Sequence, residues 1–186
     1  MTVKADDINI TLIAAMNYRR VLGDGEKLLW KNREDLNHFK EMTEGHVLVM
    51  GRRTYDSLPF EGGFPNRWNI VISRTPLFAD TTTLRNAGGV INALALARDM
   101  AADLSNRFDK THKVFCVGGG EVYRAALEHA DRILLTTIPN DLEGNVTFPV
   151  FEQDSSWVLE KQEVGDTRQD GSANIYTVWE RNQNTA

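Results

Sequence analysis

Cysteine is almost missing from this chain: Cys116 stands alone among 186 residues, so no internal disulfide can form and a reducing, cytoplasmic location is expected. Its place in the apolar run 114–117 marks it as a small core residue. No run of 18 or more apolar residues occurs, which excludes a transmembrane helix and predicts no membrane partner. Residues 1–7 lack an apolar core followed by a small-residue cleavage site, so they do not read as a signal peptide. Positive charge is in deficit, 21 Lys and Arg against 26 Asp and Glu, and a net charge of −5 argues against sequence-independent nucleic-acid binding. The four histidines, His38, His46, His112 and His129, lack ligand spacing, and no His-Glu-x-x-His occurs, so no metal site is expected. A serine nucleophile elbow is absent as well.

What is present is an ordinary globular composition, 41% hydrophobic and 25% charged, at a length that suits one domain over 1–186 with its core at about 8–181. An apolar run predicts a buried first strand over 8–16, and the turn-rich stretch 17–26 predicts a mobile loop. Helical spacing follows over 33–43, where Asp35 and Phe39 are four apart and share a face. Strands are predicted over 47–50, 69–73 and 114–117, with helices over 51–58, 93–104 and 121–130. This alternation predicts an α/β fold, helices packed on both faces of a mostly parallel central sheet with right-handed crossovers. The tail changes character: strands over 133–138, 157–164 and 175–179 have no helix between them, so an antiparallel hairpin edge is expected, turning over 165–174. Residues 183–186 should fray.

Three segments carry candidate chemistry. Val117, Gly118, Gly119, Gly120 and Glu121 put three glycines between a strand and a helix, either a cradle for phosphate or simply a tight turn. Gly51, Arg52, Arg53 and Thr54 follow another buried strand and add two cations and a hydroxyl to the backbone donors. Ser73 and Arg74 repeat the combination after the next strand and suit the 2′-phosphate that separates NADPH from NADH. In an open α/β sheet, ligands collect beyond the carboxyl ends of strands, so these segments can serve one ligand. Asp35, set among Trp30, Leu36 and Phe39, reads either as a buried carboxylate for adjacent amino and ring N–H groups or as a common helix N-terminal acid.

The order of these landmarks resembles the dihydrofolate reductase family over nearly the whole chain, about 8–181. The strand ending at Met16 and then Val21, Leu22 and Gly23 looks like the family's first strand and active-site loop, with Trp30 and Asp35 at the family's spacing. Met50 to Thr54, the glycine run with Glu121, Val122 and Tyr123, then Thr136 and the 143–149 stretch complete it. The resemblance implies NADPH-dependent hydride transfer to C6 of dihydrofolate with protonation of N5 by water, in a monomer open to antifolate inhibitors. It implies that Asp35 and Trp30 are catalytic and that Ile13, Phe39, Leu58, Val117, Tyr123 and Thr136 surround the pterin and its benzoyl extension. Arg67 would clamp the glutamate tail. Ala15, Leu22, Gly23, Gly51, Arg52, Arg53, Thr54, Ser73, Arg74, Gly118, Gly119, Gly120, Glu121 and Val122 would line the NADPH site.

Three departures stand out. Leu29 replaces the proline before Trp30, Asn145 replaces an acidic residue that would hold the loop closed, and 59–64 carries a short insertion at the cleft rim. Another pyrimidine or pterin-like reductase on the same fold, such as that of riboflavin synthesis, is the closest rival, and Asp35 and Arg67 argue against it. A non-catalytic NADPH- or RNA-binding module leaves Asp35 unexplained.

Overall fold

The computed structural model describes residues 2–24, 32–76 and 78–182, and in it the apolar runs become strands of a single sheet. The chain runs β1 (Ile10–Asn17), β2 (Val21–Gly23), α1 (Arg33–Thr43), β3 (Val47–Gly51), α2 (Arg52–Asp56), β4 (Trp68–Ile72) and β5 (Leu84–Ala87). It continues with α3 (Val90–Phe108), β6 (Val114–Cys116), α4 (Gly120–Ala126), β7 (Arg132–Ile138), β8 (Val146–Thr147), β9 (Trp157–Val164) and β10 (Ile175–Arg181). Eight strands lie in the order β5-β4-β3-β6-β1-β7-β10-β9. All pairings from β5 to β7 are parallel, and β10 is antiparallel to both β7 and β9. The expected parallel sheet with an antiparallel C-terminal edge is therefore what forms.

Alternation along the strands divides the core between the two faces of this sheet. Ile10, Leu12, Val47 and Val49 join Ala93, Leu94, Ala97 and Ala101 of α3 in one cluster. Ile13, Leu48 and Met50 form the other with Phe39 and Met42 of α1. The alanine stripe of α3 lets that helix lie close to the sheet. α1 starts where Asn32 accepts a hydrogen bond from the Asp35 backbone N–H, a side-chain cap that places two acids in the first turn.

Several boundaries differ from the periodicity. β1 starts at Ile10 because Ala5–Asp7 forms a single 3-10 turn before it. The helix expected over 51–58 stops at Asp56, where Pro59 disfavours helical backbone just ahead of it. The helix expected over 121–130 breaks after Ala126 into a 3-10 turn, Leu127–His129. There the Arg181 guanidinium takes the carbonyls of Leu127 at 2.7 Å and Ala130 at 2.8 Å. Part of the loop expected over 17–26 is strand: Val21 pairs with Thr147 and Gly23 with Val146. Residues 25 and 26 of that loop, with Leu29 and Trp30, lie outside the described residues, as do 183–186. β5 and β8 carry too few β-branched or aromatic residues to announce themselves. No described helix is long and apolar enough to cross a membrane.

At the far end of the sheet from these loops, His46 and His112 face each other with ring centroids 6.3 Å apart. Burial pushes His46 down from 6.5 to about 4, with Lys113, His112 and Lys110 adding to the shift, and burial lowers His112 as well. The neutral His46 Nδ1 accepts the Lys113 backbone N–H at 3.3 Å, a bond that protonation removes. Because the folded values are depressed, this contribution to stability is present above pH 6.5 and is lost as pH falls toward about 4. The urea midpoint should therefore fall between pH 7.5 and 5, and the fall should shrink in His46→Gln; an unchanged fall would show that other groups govern acid sensitivity.

Candidate active site

β6 lies between β3 and β1, so the glycine run that follows it emerges between the ends of both neighbours. The Val117 N–H reaches the Val49 carbonyl at 2.9 Å, and the Gly51 N–H reaches the Gly118 carbonyl at 2.7 Å. The segments 51–54 and 118–122 thus form one wall. Gly118 has φ +99°, and a Cβ there would lie 2.7 Å from the Tyr123 ring, so the chain turns here only with glycine. Tyr123 is buried and its hydroxyl donates to the Ile13 carbonyl at 2.7 Å, which ties α4 to β1. Burial holds its phenol well above the ordinary value, so it remains a donor at any physiological pH.

On this wall the cations divide into two kinds. Arg52 spends its guanidinium on Asp56 at 2.5 Å, whereas Arg53 and Arg74 are exposed and form no ion pair among the described residues. Glu121 pairs with Arg124 at the surface, so only its backbone faces the wall. Leu22 and Val122 pack their side chains into the α3 cluster. Ser73 donates to the Thr75 carbonyl at 2.6 Å and closes the turn that carries Arg74. α2 has only five residues, so the positive character at this point is that of the Arg53 side chain beside the Thr54 hydroxyl and not of a helix dipole.

The second half of the cleft is apolar with one acid. Ile13, Phe39, Leu58 and Val117 share the cluster on the α1 face, and Leu36 is exposed beside it. Ala15 lies two residues beyond Ile13 on the same face of β1 and opposite Thr136 of β7. Burial raises the Asp35 pKa, partly offset by the Thr136 hydroxyl bonding its carboxylate and by His38, while Glu34 adds to the rise. A desolvated carboxylate at the mouth of an apolar cleft is a strong acceptor for a flat ligand with paired N–H donors.

Arg67 is more buried than a rim clamp suggests, 7% exposed. Its Nε donates to Thr43 Oγ1 at 3.1 Å, Nη1 to the Pro65 carbonyl at 2.7 Å and Nη2 to the Lys40 carbonyl at 3.4 Å. Three of its five donors are spent on fixing the fork, and two have no partner among the described residues. The inserted loop is likewise anchored: Asn69 Nδ2 donates to the Phe64 and Arg67 carbonyls at 3.0 and 3.2 Å, and Phe64 packs 5.3 Å from Phe39.

Two groups of residues here were not read from the sequence. Asn17, fully buried, accepts the N–H groups of Arg19 and Val21 and donates to the Leu142 carbonyl at 2.8 Å. Arg20 reaches the Phe148 and Pro149 carbonyls and Glu152. These bonds, with the β2–β8 pairing, join the two loops, and among the described residues none of them comes from Asn145. The arginine pair after the first strand was the available signal.

A family model described as dihydrofolate reductase matches residues 9–181 of this chain. The chain belongs to the dihydrofolate reductase family. It is 32% identical over 158 residues to the dihydrofolate reductase of Bacillus subtilis, covering 84% of each chain. It is 36% identical over 142 residues to the dihydrofolate reductase type 3 of Salmonella typhimurium, covering 76% of this chain and 79% of the relative. To the dihydrofolate reductase HdrB of Haloferax volcanii it is 30% identical over 181 residues, covering 96% and 87%. As a dihydrofolate reductase, the chain is an oxidoreductase that reduces dihydrofolate to tetrahydrofolate with a nicotinamide cofactor, and its cleft is an antifolate site. The riboflavin-type reductase and the non-catalytic module are set aside.

Proposed function

We propose that the reductant is NADPH, held by the wall of Gly51, Arg53, Thr54, Ser73, Arg74 and the 118–122 turn, and that Asp35 is the ionisable group at the pterin. The observation that carries this reading is the Asp35 carboxyl, desolvated, bonded by Thr136 and set at the mouth of the Ile13, Phe39, Leu58 and Val117 cluster. The donor set suits the cofactor: the guanidinium groups of Arg53 and Arg74, exposed and without an ion pair among the described residues, lie beside hydroxyls and backbone N–H groups, the chemistry of a phosphate site. When bound, the nicotinamide supplies the hydride. The chain's residues orient and polarise. Asp35 accepts the amino and ring N–H of the pterin, Phe39 packs on the ring, and Arg67 offers its two remaining donors to the glutamate carboxylate. The apolar cluster excludes bulk water, and the proton for N5 comes from a single admitted water.

A lone buried thiol suits the cytoplasm, and the family resemblance points to a monomer. Loss of reduced-nicotinamide absorbance with dihydrofolate tests the reaction, NADPH being run against NADH. The Arg53→Ala/Arg74→Ala variant should raise KM for NADPH about tenfold to a hundredfold and leave KM for NADH nearly unchanged. Equal loss with both cofactors would remove the 2′-phosphate assignment.

A further inference from the structure

Asn174, in the turn between β9 and β10, is a fully buried amide far in sequence from any residue of the cleft. Its Oδ1 accepts Arg168 Nη2 at 2.7 Å and Asn32 Nδ2 at 2.8 Å, and its Nδ2 donates to Glu34 Oε2 and to the Tyr176 hydroxyl, each at 3.1 Å. All four hydrogen-bonding positions of the amide are filled. Its orientation is dictated from both ends, because guanidinium can only donate and carboxylate can only accept. Asn32 is the cap of α1, and its Oδ1 accepts the Asp35 backbone N–H at 3.1 Å. Glu34, next to Asp35, is latched to the same turn: its Oε1 accepts the Asp166 N–H at 3.2 Å and lies close to Gly165, where a Cβ would displace it. A continuous chain of hydrogen bonds therefore runs from Arg168 through Asn174 and Asn32 to the backbone of Asp35.

We propose that Asn174 is a positioning residue for Asp35: through the Asn32 cap and Glu34 it holds the first turn of α1 so that the Asp35 carboxyl faces the pterin. This rests on the assignment of Asp35 to the pterin. An amide is required because aspartate cannot donate to Glu34 and an apolar isostere can do neither. The cofactor wall, built at the ends of β3, β4 and β6, shares no residue with the latch. The consequence is selective: disturbing Asn174 weakens dihydrofolate and leaves the cofactor alone.

The test is calorimetric binding of dihydrofolate and of NADPH to Asn174→Leu, alone and combined with Asp35→Asn. Asn174→Leu is expected to raise Kd for dihydrofolate about tenfold, the order expected for one misaligned charge-assisted hydrogen bond, with Kd for NADPH unchanged. In the Asp35→Asn background it should add nothing. Asn32→Ser serves as a second variant should the first not fold: serine keeps the cap for the Asp35 N–H but is too short to reach Asn174, and it should weaken dihydrofolate in the same selective way. An undiminished effect in the Asp35→Asn background, equal weakening of both ligands, or wild-type affinities in Asn32→Ser would overturn the proposal while Asp35 stands. Wild-type dihydrofolate binding and turnover in Asp35→Asn itself would remove the assignment of Asp35, and the proposal with it.

Discussion

Asp35→Asn should lower kcat/KM for dihydrofolate by about two to four orders of magnitude, the range that a positioned acid or base contributes. Asparagine has nearly the same shape and keeps one acceptor, but it carries no charge to favour a protonated pterin and cannot accept two N–H groups on paired oxygens. The residual activity of the variant should rise steadily as pH falls, because protonation of the substrate then depends on bulk solvent alone. The wild type should instead show a titration above the usual carboxylate range, since burial raises the Asp35 pKa. Stability moves the other way. A carboxyl whose folded pKa is raised contributes most below its unfolded value and loses that contribution as pH rises through the folded one. At neutral pH, Asp35→Asn should thus be at least as stable as wild type, which separates a catalytic defect from unfolding. Turnover within a few-fold of wild type would sink the assignment.

Gly118→Ala has the next largest expected effect, on stability and on both ligands. At φ +99° an L-residue costs about 1–3 kcal/mol, and a methyl 2.7 Å from the Tyr123 ring adds overpacking of about 1–3 kcal/mol. The ring cannot easily retreat, because Tyr123 is 5% exposed and its hydroxyl is held by the Ile13 carbonyl. Any shift of Tyr123 is passed to β1, where Ile13 and Ala15 line the cleft, and any shift of Gly118 is passed to Gly51 through their 2.7 Å hydrogen bond. The urea midpoint and the affinities for NADPH and dihydrofolate should all fall. Normal affinity for NADPH in a folded Gly118→Ala would show that the turn is scaffolding and not part of the wall.

Particular residues show how far the sequence could be read. α1 was placed to the residue, because its apolar positions keep helical spacing over 33–43; the Asn32 cap that starts it became visible only in the structure. β5 was missed because Leu-Arg-Asn-Ala has no strand signature; only its backbone, paired to β4, makes it a strand. Arg67 was recognised, but not its burial: its donors go to Thr43, Pro65 and Lys40, and a local reading cannot assign partners on separate elements. Arg52 and Arg53 looked equivalent in the chain, and the helical turn decided between them by setting Asp56 within reach of Arg52.

By itself the sequence determined most of the strand and helix order and the landmark pattern of the family, and it singled out Asp35 as the candidate acid. These rest on local periodicity and on residue chemistry, which travel with the chain wherever it folds. Tertiary structure alone decided that β6 inserts between β3 and β1, that Tyr123 ties α4 to β1, and that Asn174 reaches across the fold to the cap of α1. The physical reason is that a buried amide or hydroxyl takes its partners from whatever the sheet order places beside it, and sheet order follows from packing the whole core at once.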